Sequence, residues 1–402
     1  MRNRYYNGVV PPRTTICSSR TAGVRPTVVV VSAVCLLASG VLAQEPRRPA
    51  ETKIDPVQHL SALDPRWIVS FDTPSVAAAG FDEQTAYVPL KGGELVAVGL
   101  DRGDRRWKVD LATSFTPAAG DGFVFAAAED AVVAFDERTG AIAWRTAIGG
   151  AIAAPVFFDA GLVLVAKTDG ELLSIRAQDG VVAWRRGVGA EPAAPPSAAG
   201  DRLYVGLKDH HLLALDRETG TTVWTLAAGD EISGILALGD QVLFGTRGNR
   251  VYSVRPSNAR LRWQWRVGAD VMGAPAADEH RIYFAALDNV LRAVDRASGN
   301  LAWSQPLPSR PSAGPFRTGD VVIVPTVSAD IGAYSAASGK PAFTIRAAGE
   351  LGGALFLRDS PRPTAPRLIA VSRGGTLQGF APRYEPPPGP LDALPGAKVG
   401  SD

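Results

Sequence analysis

Short apolar runs separated by glycine or aspartate recur along most of the chain. Residues 195–229 show the pattern, with runs of four to seven leucine-rich, β-branched or aromatic residues between turns that contain glycine or aspartate. Runs of this length, bounded by turn residues, predict β-strands. A helical repeat would need about ten or more residues at a 3.6-residue period, and glycine or proline interrupts the chain too often for that. The pattern therefore predicts an all-β protein.

Tryptophan marks a period of forty residues in this pattern. The gaps between successive members of the series are 40, 37, 40, 40, 39 and 40 residues, and a further gap of 40 leads to Phe343. The series consists of Trp67, Trp107, Trp144, Trp184, Trp224, Trp263 and Trp303. A repeat of this length with four short antiparallel strands is typical of one blade of a β-propeller.

The ends of the array predict how the ring closes. Seven complete units end at Trp107, Trp144, Trp184, Trp224, Trp263, Trp303 and Phe343. Three further strands follow Phe343 and have no outer strand of their own. Trp67 lies on a strand that no blade precedes. We therefore predict an eight-bladed β-propeller of four-stranded antiparallel blades over residues 66–381, closed by the N-terminal strand, because closure hides exposed sheet edges.

One turn of the repeat is nearly invariant within the chain. The pattern Ala-x-Asp-x-x-Thr-Gly-x-x-x-Trp spans residues 134–144 and 214–224, and residues 293–303 carry serine in place of threonine. The aspartate and the hydroxyl can bond the local backbone, and glycine accepts the left-handed conformation that closes the turn. The tryptophan that follows can cover the gap to the neighbouring blade.

This motif resembles the tryptophan-docking motif of the pyrroloquinoline-quinone (PQQ) repeat family. That family includes quinoprotein dehydrogenases and the BamB-type propellers of outer-membrane barrel assembly. The resemblance covers residues 67–380 and is closest in character to the BamB type. Some repeats depart from it: residues 102–104 replace the turn in the first, residues 258–259 in the fifth, and Phe343 replaces the tryptophan in the seventh.

The segments outside the repeats indicate export. Residues 1–43 contain five arginines, an apolar run and small residues at a cleavage site, which predicts a signal peptide; retention as a membrane anchor is the alternative. Cleavage lowers the formal net charge from +2 to −3. The positive net charge of the full sequence therefore gives no support for binding nucleic acid. Both cysteines lie in this leader, which excludes disulfides and a lipid anchor in the mature protein. Residues 44–65 are expected to be a linker, residues 360–366 a Pro-rich insertion and residues 382–402 a disordered tail.

The order of the strands places the stereotyped turns on one side of the propeller and the variable turns on the other. Binding usually occurs at variable loops on a rigid scaffold. The turns between second and third strands should share a side with the links between blades. We select six residues there as candidate partner-binding residues: Lys167, Lys208, His210, His211, Arg247 and Arg250. Other charged residues expected on this side are Lys91, Glu129, Asp288, Asp330, Arg373, Glu191, Asp230, Glu231 and Asp270. A solvated rim of mixed charge is the alternative.

Catalytic chemistry finds little support in the sequence. His210 and His211 are adjacent, so on a strand they would point to opposite faces instead of sharing a metal. No carboxylate pair stands out as an acid and a base, and no phosphate loop or nucleophile elbow is present.

These observations favour a non-catalytic, periplasmic or secreted scaffold without cofactors. We expect it to be monomeric and to bind protein partners of the cell envelope, in the manner that the BamB resemblance implies for outer-membrane protein assembly. One alternative is a quinoprotein dehydrogenase using PQQ with calcium, although the mature chain lacks the vicinal cysteines of those enzymes. Another is a ligand-binding or sensor propeller.

Overall fold

The computed structural model describes residues 63–358 and 367–382. The predicted signal peptide, most of the predicted linker, the Pro-rich insertion and nearly all of the predicted tail lie outside these ranges. The first described strand begins at Leu63 and the last ends at Pro382, whereas the sequence placed the propeller boundaries at residues 66 and 381.

The described residues form eight four-stranded antiparallel sheets and contain no helix, which confirms the predicted eight-bladed propeller. Blades 1–4 consist of β2 (Gly80–Phe81), β3 (Thr85–Leu90), β4 (Glu94–Gly99), β5 (Arg105–Asp110); β6 (Ala118–Gly120), β7 (Phe123–Ala128), β8 (Ala131–Asp136), β9 (Ile142–Ala147); β10 (Phe157–Asp159), β11 (Leu162–Ala166), β12 (Glu171–Arg176), β13 (Val182–Gly187); β14 (Ser197–Ala199), β15 (Arg202–Gly206), β16 (His211–Asp216) and β17 (Thr222–Ala227).

Blades 5–8 follow the same order, and the eighth takes its outer strand from the start of the chain. They consist of β18 (Ile232–Ala237), β19 (Val242–Thr246), β20 (Arg250–Val254), β21 (Leu261–Arg266); β22 (Ala276–Ala277), β23 (Arg281–Ala286), β24 (Val290–Asp295), β25 (Leu301–Pro306); β26 (Phe316–Thr318), β27 (Val321–Val324), β28 (Asp330–Ser335), β29 (Pro341–Arg346); β30 (Leu351–Leu357), β31 (Leu368–Ser372), β32 (Thr376–Pro382) and β1 (Leu63–Ser70).

Ring closure joins the two ends of the array. β1 pairs antiparallel with β32 from Leu63 opposite Pro382 to Ser70 opposite Thr376, with one irregularity between Pro65 and Trp67. The predicted closure by the N-terminal strand is therefore confirmed.

Glycine allows the inner strand to approach its neighbour closely at two blade boundaries. A Cβ atom added to Gly234 would lie 2.2 Å from the backbone of Gly273 and Ala274 in the next blade, and one added to Gly80 would lie 2.1 Å from the Pro117 carbonyl oxygen. Glycine is required where two backbones approach this closely.

Tryptophan docking joins consecutive blades. In all seven cases the indole N–H donates to a backbone oxygen in the next blade, beside the turn between its third and fourth strands, at 2.7–3.1 Å. In six of those turns a glycine with positive φ lies under the ring, where an added Cβ would come within 2.5–2.8 Å of an indole carbon. Blade 5 has Ala259 there, at a φ of 56°. The predicted inter-blade role of these tryptophans is confirmed.

Phe343 replaces tryptophan at the one position where no turn is available. Its ring faces blade 8, whose third and fourth strands, β32 and β1, come from opposite ends of the chain. Phe343 packs instead against an apolar cluster that includes Leu63 and Phe380. An indole N–H here would lack the turn carbonyl that the other seven tryptophans use.

Candidate functional site: the link face

The propeller has two faces of different character. The docking-turn face carries the turns between third and fourth strands, whereas the link face carries the turns between second and third strands together with the links between blades. On the link face the backbone N–H of Lys208 donates to the Glu191 oxygen at 2.8 Å, and that of Arg247 donates to the Glu231 oxygen at 2.9 Å. Links and turns therefore lie side by side, as the strand order predicts.

Two of the candidate cations are neutralised by acids from the adjacent link. Lys208 Nζ lies 2.7 Å from Glu191 Oε1, and Arg247 Nε lies 3.0 Å from Glu231 Oε1. Both cationic side chains remain more than half exposed. Exposed pairs of this kind contribute about 0–1 kcal/mol to stability.

Lys167 differs from these two because it is buried. Its ammonium lies 2.8 Å from Glu171 Oε2 and 2.9 Å from Asp169 Oδ2, and only 7% of the side chain is exposed. The hydrogen bond to Glu171, reinforced by the one to Asp169, raises the pKa of Lys167, and the bond from Lys167 lowers the pKa of Asp169. This residue organises its own turn and is poorly accessible to a partner.

The remaining candidates are placed by turn geometry. His210 is exposed and adopts a φ of 70°, while His211 begins β16 with its Nδ1 3.2 Å from Asp209 Oδ1. Arg250 donates to the Tyr252 hydroxyl at 3.3 Å, which raises the pKa of the guanidinium. The six candidates thus lie in or next to the link-face turns of blades 3–5. Among the described residues, all except the exposed His210 have a side-chain partner in their own blade or in the link leading into it.

Acid–base chemistry is not concentrated anywhere on this face. Across the described residues, the largest pKa shifts belong to two buried tyrosines. Burial, aided by hydrogen bonds to Asp82 and Asp278, raises the pKa of Tyr87 and of Tyr283. Tyr283 donates to Asp278 Oδ2 at 2.6 Å.

In residues 63–358 and 367–382, no group of three or more His, Cys, Asp or Glu side chains is placed to hold a metal. Within the same ranges, no helical segment has the length and hydropathy needed to cross a membrane.

A depression in blade 2 is the main feature of the link face that the candidate residues missed. It is a cavity of about 410 Å³, open to solvent, that extends from blade 1 to the start of blade 3. Its apolar lining consists of Val76, Leu90, Ala112, Phe115, Ala127, Ala128 and Ile152. Lys91, Thr113, Ser114 and Glu129 supply polar groups.

Shortened connections create this depression. The turn between β7 and β8 has two residues, 129–130, whereas the corresponding turn of blade 3 has four, 167–170. The link into blade 2 has seven residues, 111–117, whereas the links into blades 1, 3, 4, 6 and 7 have nine. Those five longer links each form an isolated β-bridge with a residue at or just beyond the end of their own second strand, and in the described structure blade 2 has none. The 37-residue tryptophan gap was the sequence signal for this site.

Two charged side chains at the depression are left unpaired. The turns of blades 3–6 each contain a charged residue that forms an ion pair within its blade or with the link leading into it, and Asp330 at the start of β28 pairs with Arg346. In the blade 2 turn Asp130 pairs with Arg145 at 3.8 Å, but Glu129 does not. Within the described residues, the side chains of Lys91 and Glu129 form no hydrogen bond or ion pair, and both residues are exposed. This part of the link face therefore combines an apolar floor with two uncompensated charges of opposite sign.

A closed ring of tryptophan-docked blades with a variable link face defines a class of repeat propellers. A family model described as outer membrane protein assembly factor BamB matches residues 91–220, 208–314 and 290–383. The chain belongs to this family, and the resemblance to PQQ-like, BamB-type propellers is confirmed.

One curated protein and three solved structures are similar to this chain. Outer membrane protein assembly factor BamB of Nitrosomonas eutropha is 27% identical over 134 residues, and the match covers 32% of each chain, so the chain spans about a third of that relative's length. BamB from Moraxella catarrhalis superposes with a TM-score of 0.65 at 16% identity, covering 80% of this chain and 100% of that one. Sqt1 of Saccharomyces cerevisiae superposes with a TM-score of 0.70 at 12% identity, covering 80% of this chain and 100% of that one. The designed protein Ika8 superposes with a TM-score of 0.67 at 15% identity, covering 78% of this chain and 97% of that one. At these identities the superpositions show the fold alone.

Proposed function

We propose that this protein is a non-catalytic scaffold of the cell envelope that binds protein partners through its link face, in the assembly of outer-membrane proteins. The observation that carries the proposal is the match of the BamB family model over most of the propeller. The rigid ring supports it as well, because tryptophan docking fixes the positions of turns that differ from blade to blade. On this proposal the chain acts in the periplasm as a monomer, after its signal peptide is removed.

Cross-linking in cells tests the assembly role. The full chain, tagged at its C-terminus, is cross-linked in the producing organism and purified from the envelope under denaturing conditions, and the attached proteins are identified by mass spectrometry. We expect components of the barrel-assembly machinery. A tagged periplasmic protein of unrelated fold, expressed at the same level, is the control. If the chain captures no more of those components than the control does, the assembly role is wrong.

The quinone-enzyme alternative rests on the repeat family alone. It needs a calcium ion beside the quinone, and the described side chains include no acidic cluster that fits such an ion. Adding PQQ and calcium to the purified protein tests this alternative, which requires a bound-cofactor absorbance and dye-linked oxidation of alcohols or sugars.

A further inference from the structure

We propose that the blade 2 depression binds an extended segment of a partner protein, and that it selects an apolar side chain flanked by one acidic and one basic residue. This inference rests on the proposed function, because it specifies the chemistry of the partner that the scaffold would hold. It concerns blades 1–3, whereas the six candidate residues from the sequence lie in blades 3–5.

The floor of the depression favours an apolar anchor. Phe115, Ile152 and Leu90 line it, and Val76 at its edge is 42% exposed. A cavity of about 410 Å³ lies near the lower end of the range of about 300–1,000 Å³ for ligand sites, so it can admit one or two side chains. Removing this apolar surface from water provides the driving force for binding.

The uncompensated charges determine what should flank that anchor. Lys91 belongs to the blade 1 turn and Glu129 to the blade 2 turn, and both line the same depression. Because neither has a partner side chain among the described residues, each remains available to an opposite charge on a ligand. An acidic residue near Lys91 and a basic residue near Glu129 satisfy both, whereas a ligand with two like charges meets one attraction and one repulsion.

The blade 2 link explains why the ligand should be extended. In five other blades an isolated β-bridge joins the link to a residue at or just beyond the end of the second strand. No backbone hydrogen bond ties residues 112–114 to the blade 2 turn in the described structure. A peptide in β-conformation can supply main-chain partners where this internal bridge is missing, in the manner of strand addition.

Three labelled peptides test the charge rule. They have the sequence Gly-Ser-X-Leu-Z-Ser-Gly with fluorescein at the N-terminus, and X and Z are Glu and Lys, Glu and Glu, or Lys and Lys. Fluorescence anisotropy at low ionic strength, with the mature chain, gives each Kd. We expect the mixed peptide to bind about 2- to 5-fold more tightly than the other two. Replacing its leucine by glycine should weaken binding about tenfold or more.

Charge-reversal variants make the rule falsifiable. Lys91→Glu should shift the preference to the Lys–Lys peptide, and Glu129→Lys should shift it to the Glu–Glu peptide. Both residues are exposed, so neither change should affect folding. Equal binding of the three peptides, unchanged preferences in the variants, or no binding of any peptide would each overturn the proposal.

A matched pair of blocking variants locates the site. Ala112 and Ala348 are exposed alanines that each follow the first residue of a link, in blades 2 and 8 respectively. Ala112→Trp should abolish peptide binding, whereas Ala348→Trp should leave it unchanged. A concentration-dependent dimer that Ala112→Trp abolishes would assign the depression to a second copy of the chain and overturn the peptide proposal. If Ala112→Trp still captures barrel-assembly components in cells, the site is wrong while the proposed function stands.

Discussion

The docking-turn face and the link face are built from the same repeats under different constraints. On the docking-turn face an indole, a left-handed residue and a carbonyl must fit together at seven of the eight blade boundaries, so the turn sequence varies little. On the link face the turns contain two to five residues, and their charges differ from blade to blade. The comparison teaches that the repeated residues hold the ring together, whereas the residues that differ are free to determine what it binds.

Removing the closing strand should cause the largest loss of stability. A chain that begins at residue 71 lacks β1 and leaves β32 as an open edge. We expect a loss of at least about 4 kcal/mol, because the docked indole of Trp67 alone is of that order. Urea unfolding followed by tryptophan fluorescence measures it, and a peptide of residues 63–72 added in trans should restore part of the loss. Full stability without β1 would contradict closure of the ring.

Trp184→Ala should have the next largest effect. The ring is 8% exposed and its N–H donates to the Arg217 oxygen at 3.0 Å. Truncation should cost about 3–5 kcal/mol in the free energy of unfolding. Phe343→Trp is the matched comparison, and it should bring no gain in stability because blade 8 offers no turn carbonyl. A stabilisation of more than about 1 kcal/mol, the usual net contribution of a hydrogen bond, would contradict this explanation of Phe343.

The two lysines at neighbouring link-face turns should respond differently to the same substitution. Lys167→Met removes a buried cation from two carboxylates and should cost about 1–3 kcal/mol, less than a fully buried pair because Asp169 is 60% exposed. Lys208→Met breaks an exposed pair and should cost less than about 1 kcal/mol. Chemical denaturation of both variants tests the ranking. Equal costs would mean that burial does not separate the two turns.

The smallest predicted effect is a change in the acid sensitivity of the docking turns. Bonds from Thr139, Thr219 and Ser298 lower the pKa of Asp136, Asp216 and Asp295. Because the folded state has the lower pKa, this stabilisation is present above the unfolded-state value of about 4 and is lost as pH falls through the folded-state values. Replacing all three aspartates by asparagine should therefore reduce the difference in urea midpoint between pH 6 and pH 3. An unchanged difference would show that these carboxylates do not contribute.

The sequence predicted the ring well because its determinants are local. The Asp-x-x-Thr-Gly turns and the tryptophan spacing each lie within one repeat, and the unpaired strand at Trp67 was enough to predict closure. Charge compensation on the link face was harder to predict, since Lys208 and Glu191 lie 17 residues apart and meet only when link and turn fold together. The depression depends jointly on a short turn and a short link, and the 37-residue gap does not separate the two.

Site-specific photo-cross-linking in cells tests the central claim most directly, namely that partners bind the link face and not the docking-turn face. A benzophenone amino acid is placed at Ala112 on the link face or at Ala141 on the docking-turn face, both exposed positions in blade 2. We predict envelope-protein adducts at position 112 and none above background at position 141. Adducts at position 141 alone, or equally at both positions, would contradict the division of labour between the two faces.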